Sequence, residues 1–155
     1  MDGQTVSATV VGIGNTSRTD DGVGVVAALL LQEKPAWRAI EFIARDIAGP
    51  ALIRYFSSKK LVIIDAAKMN LQPGSVRVFR PEDISDRTFK DFTSTHGMGL
   101  NETLRLAKEL NLIGDVSIIG VEPFDLKFGL ELSSAMKEVL PLIVKTAESL
   151  LKEVV

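Results

Sequence analysis

Short aliphatic runs alternating with longer amphipathic segments constrain this chain more than any other feature. Ala8 to Ile13 is apolar and β-branched with a glycine at its end, which reads as a strand buried on both faces. A helix then opens at Asp21 and runs to about Glu33, with Val25, Val26, Leu29 and Leu30 on its apolar face and Pro35 closing it. Ile40 to Ala44 reads as a second strand, and Gly49 to Phe56 as a short helix. Leu61 to Ile64 is a central strand ended by Asp65, and Val76 to Phe79 is another, beyond the Pro73-Gly74 turn. The polar stretch from Arg80 to Gly99 is irregular, and a segment of about twenty such residues is more often functional than idle. Leu100, Leu104 and Ala107 give a helix over Leu100 to Leu110, followed by a strand from Val116 to Val121. Ser133 caps a final helix, which Pro141 should kink or split in two.

This order predicts one α/β domain over residues 1–155. It is a mainly parallel, twisted sheet of about five strands, flanked by helices on both faces. A chain of 155 residues is long enough to bury roughly 70% of its unfolded surface. The net charge of −2 and the lack of a basic block give no electrostatic footing for nucleic acid or an anionic membrane. Met1 to Thr5 has no basic leader character, and no apolar run approaches the ~20 residues that span a bilayer, so a cytoplasmic protein is expected. There is no cysteine, which removes disulfides, thiolate ligands and a cysteine nucleophile together. The oligomeric state stays open, with a monomer favoured.

In sheets of this kind ligands bind at the carboxyl ends of the strands, where strand order reverses. Three ligand-type residues fall there: Asp21 after the first strand, Asp65 after the central one, and His96 in the long loop. Gly12 and Gly14 suggest a dinucleotide turn, but position 17 is serine where that turn needs glycine, and Asp20 and Asp21 would repel a pyrophosphate. Acids in a first helical turn also serve as caps, so one of the pair has a structural reading and Asp21 a functional one. Asp65 reads either as a loop cap or as a carboxylate held on a rigid strand. His96, the sole imidazole, reads as a surface residue or as a ligand beside Gly97 and Gly99. Two carboxylates and an imidazole form a sulfur-free donor set that suits nickel, zinc or manganese and leaves coordination positions open. No zinc-protease helix or serine-hydrolase elbow occurs, and any serine triad would have to use His96.

The chain resembles the maturation endopeptidases of nickel–iron hydrogenases, especially those serving the formate-hydrogenlyase type. The resemblance is carried by Gly12-Ile13-Gly14-Asn15 with Asp20-Asp21-Gly22-Val23-Gly24, by Ile63-Ile64-Asp65-Ala66 with Pro73-Gly74, and by Thr95-His96-Gly97-Met98-Gly99-Leu100. Gly120-Val121-Glu122-Pro123 with Gly129-Leu130 is a weaker fourth match. The resemblance implies an endopeptidase that removes a C-terminal extension from the hydrogenase large-subunit precursor after nickel insertion. It implies Asp21, Asp65 and His96 as metal contacts, with the nickel supplied by the precursor. For the hydrolytic step the chemistry offers either nickel polarising the scissile carbonyl or acidifying a water, or Asp21 or Asp65 as general base. One segment departs from the family. After the second strand the family usually carries Asp-Gly-Gly and then Thr or Ser, whereas this chain reads Ala44-Arg45-Asp46-Ile47. That departure motivates an alternative, a non-catalytic module docking on a metalloprotein partner through the same three residues.

Overall fold

The computed structural model describes residues 6–37, 39–45, 49–85, 93–94 and 100–153. Strand β1 (Ala8–Gly12) lies between β2 (Ile40–Ala44) and β3 (Lys60–Lys68), parallel to both. β3 pairs in parallel with β6 (Asp115–Val121), and β4 (Val76–Phe79) adds antiparallel to β6 at the edge. The order β2-β1-β3-β6-β4 is the single mainly parallel sheet of five strands that the sequence predicts. A further two-residue strand, β5 (Thr93–Ser94), pairs antiparallel with the end of β3.

Helices cover both faces. On one, Val10, Val62, Ile64 and Val121 meet Ala27 and Leu31 of α1 (Val23–Gln32) and Met136, Ile143 and Leu151 of α4 (Ser134–Leu151). On the other, Val11, Leu61, Ile63 and Ile118 meet Leu52 and Phe56 around a 3₁₀ helix (Gly49–Tyr55), and Leu104 and Ala107 of α3 (Leu100–Glu109). Alternate residues of β3 feed the two clusters, as a strand buried on both faces must. The stretch from Arg80 to Gly99 is less irregular than its composition suggests, because it contains the short helix α2 (Pro81–Ser85) and β5.

Two expectations are corrected. α4 is one continuous helix and Pro141 does not split it. An interior proline costs about 3 kcal/mol, whereas burying Met136, Ile143 and Leu151 contributes roughly 2 kcal/mol each, so the packed face outweighs the lost bond. Asp65 does not end its strand, since β3 continues through Ala66, Ala67 and Lys68. Alanines have low strand preference, but β6 pairs through Ala66 and β5 pairs with Ala67 and Lys68, and those ladders decide the outcome.

β1 ends earlier than β3. Their last register pair is Gly12 with Ile64, and the Ile13 N–H then donates to the Ile64 carbonyl. Asp65 is therefore the first residue of β3 beyond the end of β1. Strand order also reverses at β1 and β3, since one connection leads outward to β2 and the next crosses to β3.

Candidate functional site

Glycines bring α1 unusually close to the sheet. A Cβ on Gly24 would lie 2.2 Å from the Ile64 carbonyl oxygen, and one on Gly12 would lie 2.1 Å from the Gly24 carbonyl oxygen. Close helix–strand approach, which a dinucleotide turn obtains from a glycine at position 17, comes here from Gly24. The loop before α1 folds on itself. Ser17 N–H donates to Asn15 Oδ1 at 2.9 Å, Arg18 N–H to the Asn15 carbonyl, and Asp21 N–H to the Arg18 carbonyl. The helix does not open at Asp21 but at Val23, after a 3₁₀ turn (Thr19–Gly22) that carries both aspartates.

The two aspartates separate in role. Asp20 is fully buried, and its Oδ2 accepts from Phe124 N–H, Asp125 N–H and the Ser133 hydroxyl, while Oδ1 accepts from Ser133 N–H. It latches the 124–133 loop and the start of α4, where Ser133 Oγ accepts from Met136 N–H as the expected cap. Asp21, also buried, accepts from Asn15 N–H at a long 3.3 Å. Sequence spacing could not divide two adjacent acids in this way.

More bonds hold that loop to the turn. Thr19 N–H donates to the Gly129 carbonyl, Gly129 N–H to the Ser17 carbonyl, and Asp20 N–H to the Asp125 carbonyl. Thr19 sits at φ 51°, an uncommon conformation for a β-branched residue, and its hydroxyl donates to the Lys127 carbonyl at 2.5 Å. Surrounding bonds thus over-determine a strained backbone beside Asp21. Glu122 is a second structural carboxylate that sequence reasoning gave no role. Its buried oxygens accept from Met69 and Leu71 N–H groups, shaping the turn that leaves β3.

Asp65 is fully buried on β3, and the turn bearing Asp21 packs against the same strand. Both carboxylates thus lie just past the carboxyl end of β1, Asp65 on the part of β3 that outruns it, and each has a partner, as burial of a carboxylate requires. His96, Gly97, Gly99 and Asp46 lie outside the described residues. The last described residue before His96 is Ser94, which pairs with Ala67, two residues past Asp65. Among the described residues no three His, Cys, Asp or Glu side chains group to hold a metal ion. Ala44 ends β2 opposite Gly12, at the same edge of the sheet.

An open parallel sheet with two buried aspartates at its switch point defines a class: a small α/β protein whose site is built by the segments leaving its central strands. Known proteins narrow this to a family. A family model for hydrogenase maturation proteases matches residues 29–150, a span that includes Asp65 and starts beyond Asp21. The chain belongs to the hydrogenase maturation protease family, which supports a protease role in hydrogenase maturation. It is 28% identical to the hydrogenase 3 maturation protease of Escherichia coli K12, over 88% of this chain and 85% of that protein. It is 31% identical to protein FrxA of Pyrococcus furiosus, over 86% and 97% of the two chains. Among solved structures, the [NiFe] hydrogenase maturation protease HybD from Thermococcus kodakarensis superposes with a TM-score of 0.74 at 29% identity, covering 92% and 97%. The Escherichia coli endopeptidase HybD, at 22% identity and a TM-score of 0.78 over 94% and 92%, shares the fold.

Proposed function

We propose that this protein removes the C-terminal extension of a nickel–iron hydrogenase large-subunit precursor, after nickel has been inserted. The observation that carries the reading is the pair Asp21 and Asp65 at the switch point of a hydrogenase maturation protease. Nickel belongs to the substrate in this reading, and Asp21, Asp65 and His96 are the groups that meet it. An O/O/N donor set from a chain without cysteine is chemically suited to such an ion, because it leaves positions for sulfur ligands from the precursor. The ion would polarise the scissile carbonyl or acidify a bound water.

The chain's own residues do the rest. A carboxylate held on β3 or on the 3₁₀ turn has the positional accuracy that a general base needs to take a proton from the attacking water. Asp20, the Asn15 loop and Glu122 position those elements through hydrogen bonds to the main chain. Asp21 and Asp65 are 2% and 0% exposed, so both are buried carboxylates. The reaction belongs in the cytoplasm, and no helix among the described residues is long and apolar enough to cross a membrane.

Mass spectrometry of nickel-loaded precursor incubated with the protein tests the reading, with loss of a C-terminal peptide expected. A second reading, docking without cleavage, is favoured by Ala44 at the end of β2, where the family usually carries aspartate. A stable complex with no mass loss would establish it instead.

A further inference from the structure

Beside the candidate site, an open cleft of about 510 Å³ lies between the end of β3 and the 123–127 loop. Three cations line it: Arg18, three residues before Asp21; Lys68, three residues after Asp65; and Lys127. None of the three forms an ion pair with a described carboxylate. The two acids in the wall are committed to main-chain donors. Glu122 accepts from Met69 and Leu71 N–H groups, and Asp125 Oδ1 accepts from Lys127 N–H at 2.8 Å. On a chain of net charge −2, three cations against two acids leave this wall with a small net positive charge.

The cations also stand on fixed backbone. Lys68 is the last residue of β3 and pairs with Thr93. Arg18 Nε donates to the Leu126 carbonyl, and the Thr19 hydroxyl holds the Lys127 carbonyl. The remaining wall, including Phe124, is apolar. A cleft of net positive charge with an apolar wall suits a carboxylate on a carbon chain.

We infer that the Arg18, Lys68 and Lys127 cleft is a subsite for a carboxylate of the bound peptide, either an acidic side chain or a free C-terminus. Assignment to a peptide rests on the endopeptidase reading, and the subsite would set which extensions are accepted.

The test uses the full ¹⁵N-labelled chain, titrated with three peptides: acetyl-Ala-Glu-Ala-amide, its glutamine counterpart as the amide, and that counterpart with a free C-terminus. Amide shifts at Arg18, Lys68 and residues 124–127 are expected with the first or the third peptide and not with the neutral one. Shifts with the glutamate amide assign the side chain as the source, and shifts with the free acid assign the C-terminus. Binding should weaken with added salt. It should weaken roughly tenfold in Arg18→Gln/Lys68→Gln/Lys127→Gln, whose dispersed spectrum reports that it folds. Equal shifts with the neutral peptide, no shifts with either acid, or undiminished binding by the folded triple variant would overturn the subsite. No cleavage is involved, so such a failure leaves the endopeptidase reading standing. Lost precursor processing with carboxylate binding retained would count against that reading alone.

Discussion

Asp20 accepts hydrogen bonds from Phe124, Asp125 and Ser133, and without it those partly buried donors would lose their carboxylate acceptor. Asp20→Ala should therefore destabilise the fold by about 3 kcal/mol, read as a lower urea midpoint. Asp21 accepts from Asn15 N–H at 3.3 Å and has a further interaction besides, and Asp21→Asn keeps its size while removing its charge. If it is the working carboxylate, the same variant should slow precursor cleavage at least ~100-fold by mass spectrometry. Processing at the parental rate by both Asp21→Asn and Asp65→Asn would remove the carboxylates from the reaction. His96 carries a pH prediction of definite sign. Imidazole binds metal only when neutral, so docking to nickel-loaded precursor should weaken as pH falls below about 6.5, and a flat response between about pH 5 and 8 would exclude His96. That aspartates mattered was legible from their place after apolar runs. That Asp20 is the bracing member of the pair was not, because its donors lie more than a hundred residues away in the chain.

Among the elements, the junction of β1, β3 and α1 is governed by missing side chains. Gly24→Ala would push a methyl into the Ile64 carbonyl, inside a backbone contact that cannot yield by side-chain rotation. A loss of about 3 kcal/mol is expected, measured by thermal or urea unfolding, and an unchanged midpoint would contradict the packing described. Pro141 gives the opposite sign. It is exposed within α4, so Pro141→Ala should restore a helical bond and raise stability by about 1–2 kcal/mol, net of the proline's restraint on the unfolded chain. Element type was readable from periodicity for all five strands of the main sheet and for α1, α3 and α4. Several boundaries were not, and α1 opens at Val23, after a 3₁₀ turn, rather than at Asp21. β3 outruns its aliphatic core because neighbouring strands supply partners for Ala66 to Lys68, and α4 passes through a proline because its buried face compensates.

Across the whole molecule, the ends of the sheet divide labour. At the amino ends, buried Lys60 pairs with Asp115 at 3.3 Å and Glu153 at 3.1 Å, and Arg80 pairs with Asp115 at 2.6 Å, tying β3, β6 and the C-terminal end of the chain together. Desolvation pushes the Asp115 carboxyl up, but hydrogen bonds from Arg80 and Lys60 outweigh it and hold the group below its ordinary 3.8. Stability from a depressed carboxyl is present above the ordinary value and is lost as pH falls through the folded one. The urea midpoint should therefore drop more steeply below about pH 4 in the parent than in Asp115→Asn, by a small margin because Asp115 is 42% exposed. An identical slope would exclude the network as the source. The carboxyl ends carry the candidate site, the strained Thr19 and the cationic cleft. From the sequence alone came the layer architecture, the parallel sheet and the carboxylates beside its central strands, because periodicity and turn residues act over a few neighbours. Tertiary structure alone decided that Asp20 is a latch, that Gly24 makes the close contact, and that Arg18, Lys68 and Lys127 share one cleft. Each of those depends on groups far apart in the chain, and only packing brings them within reach.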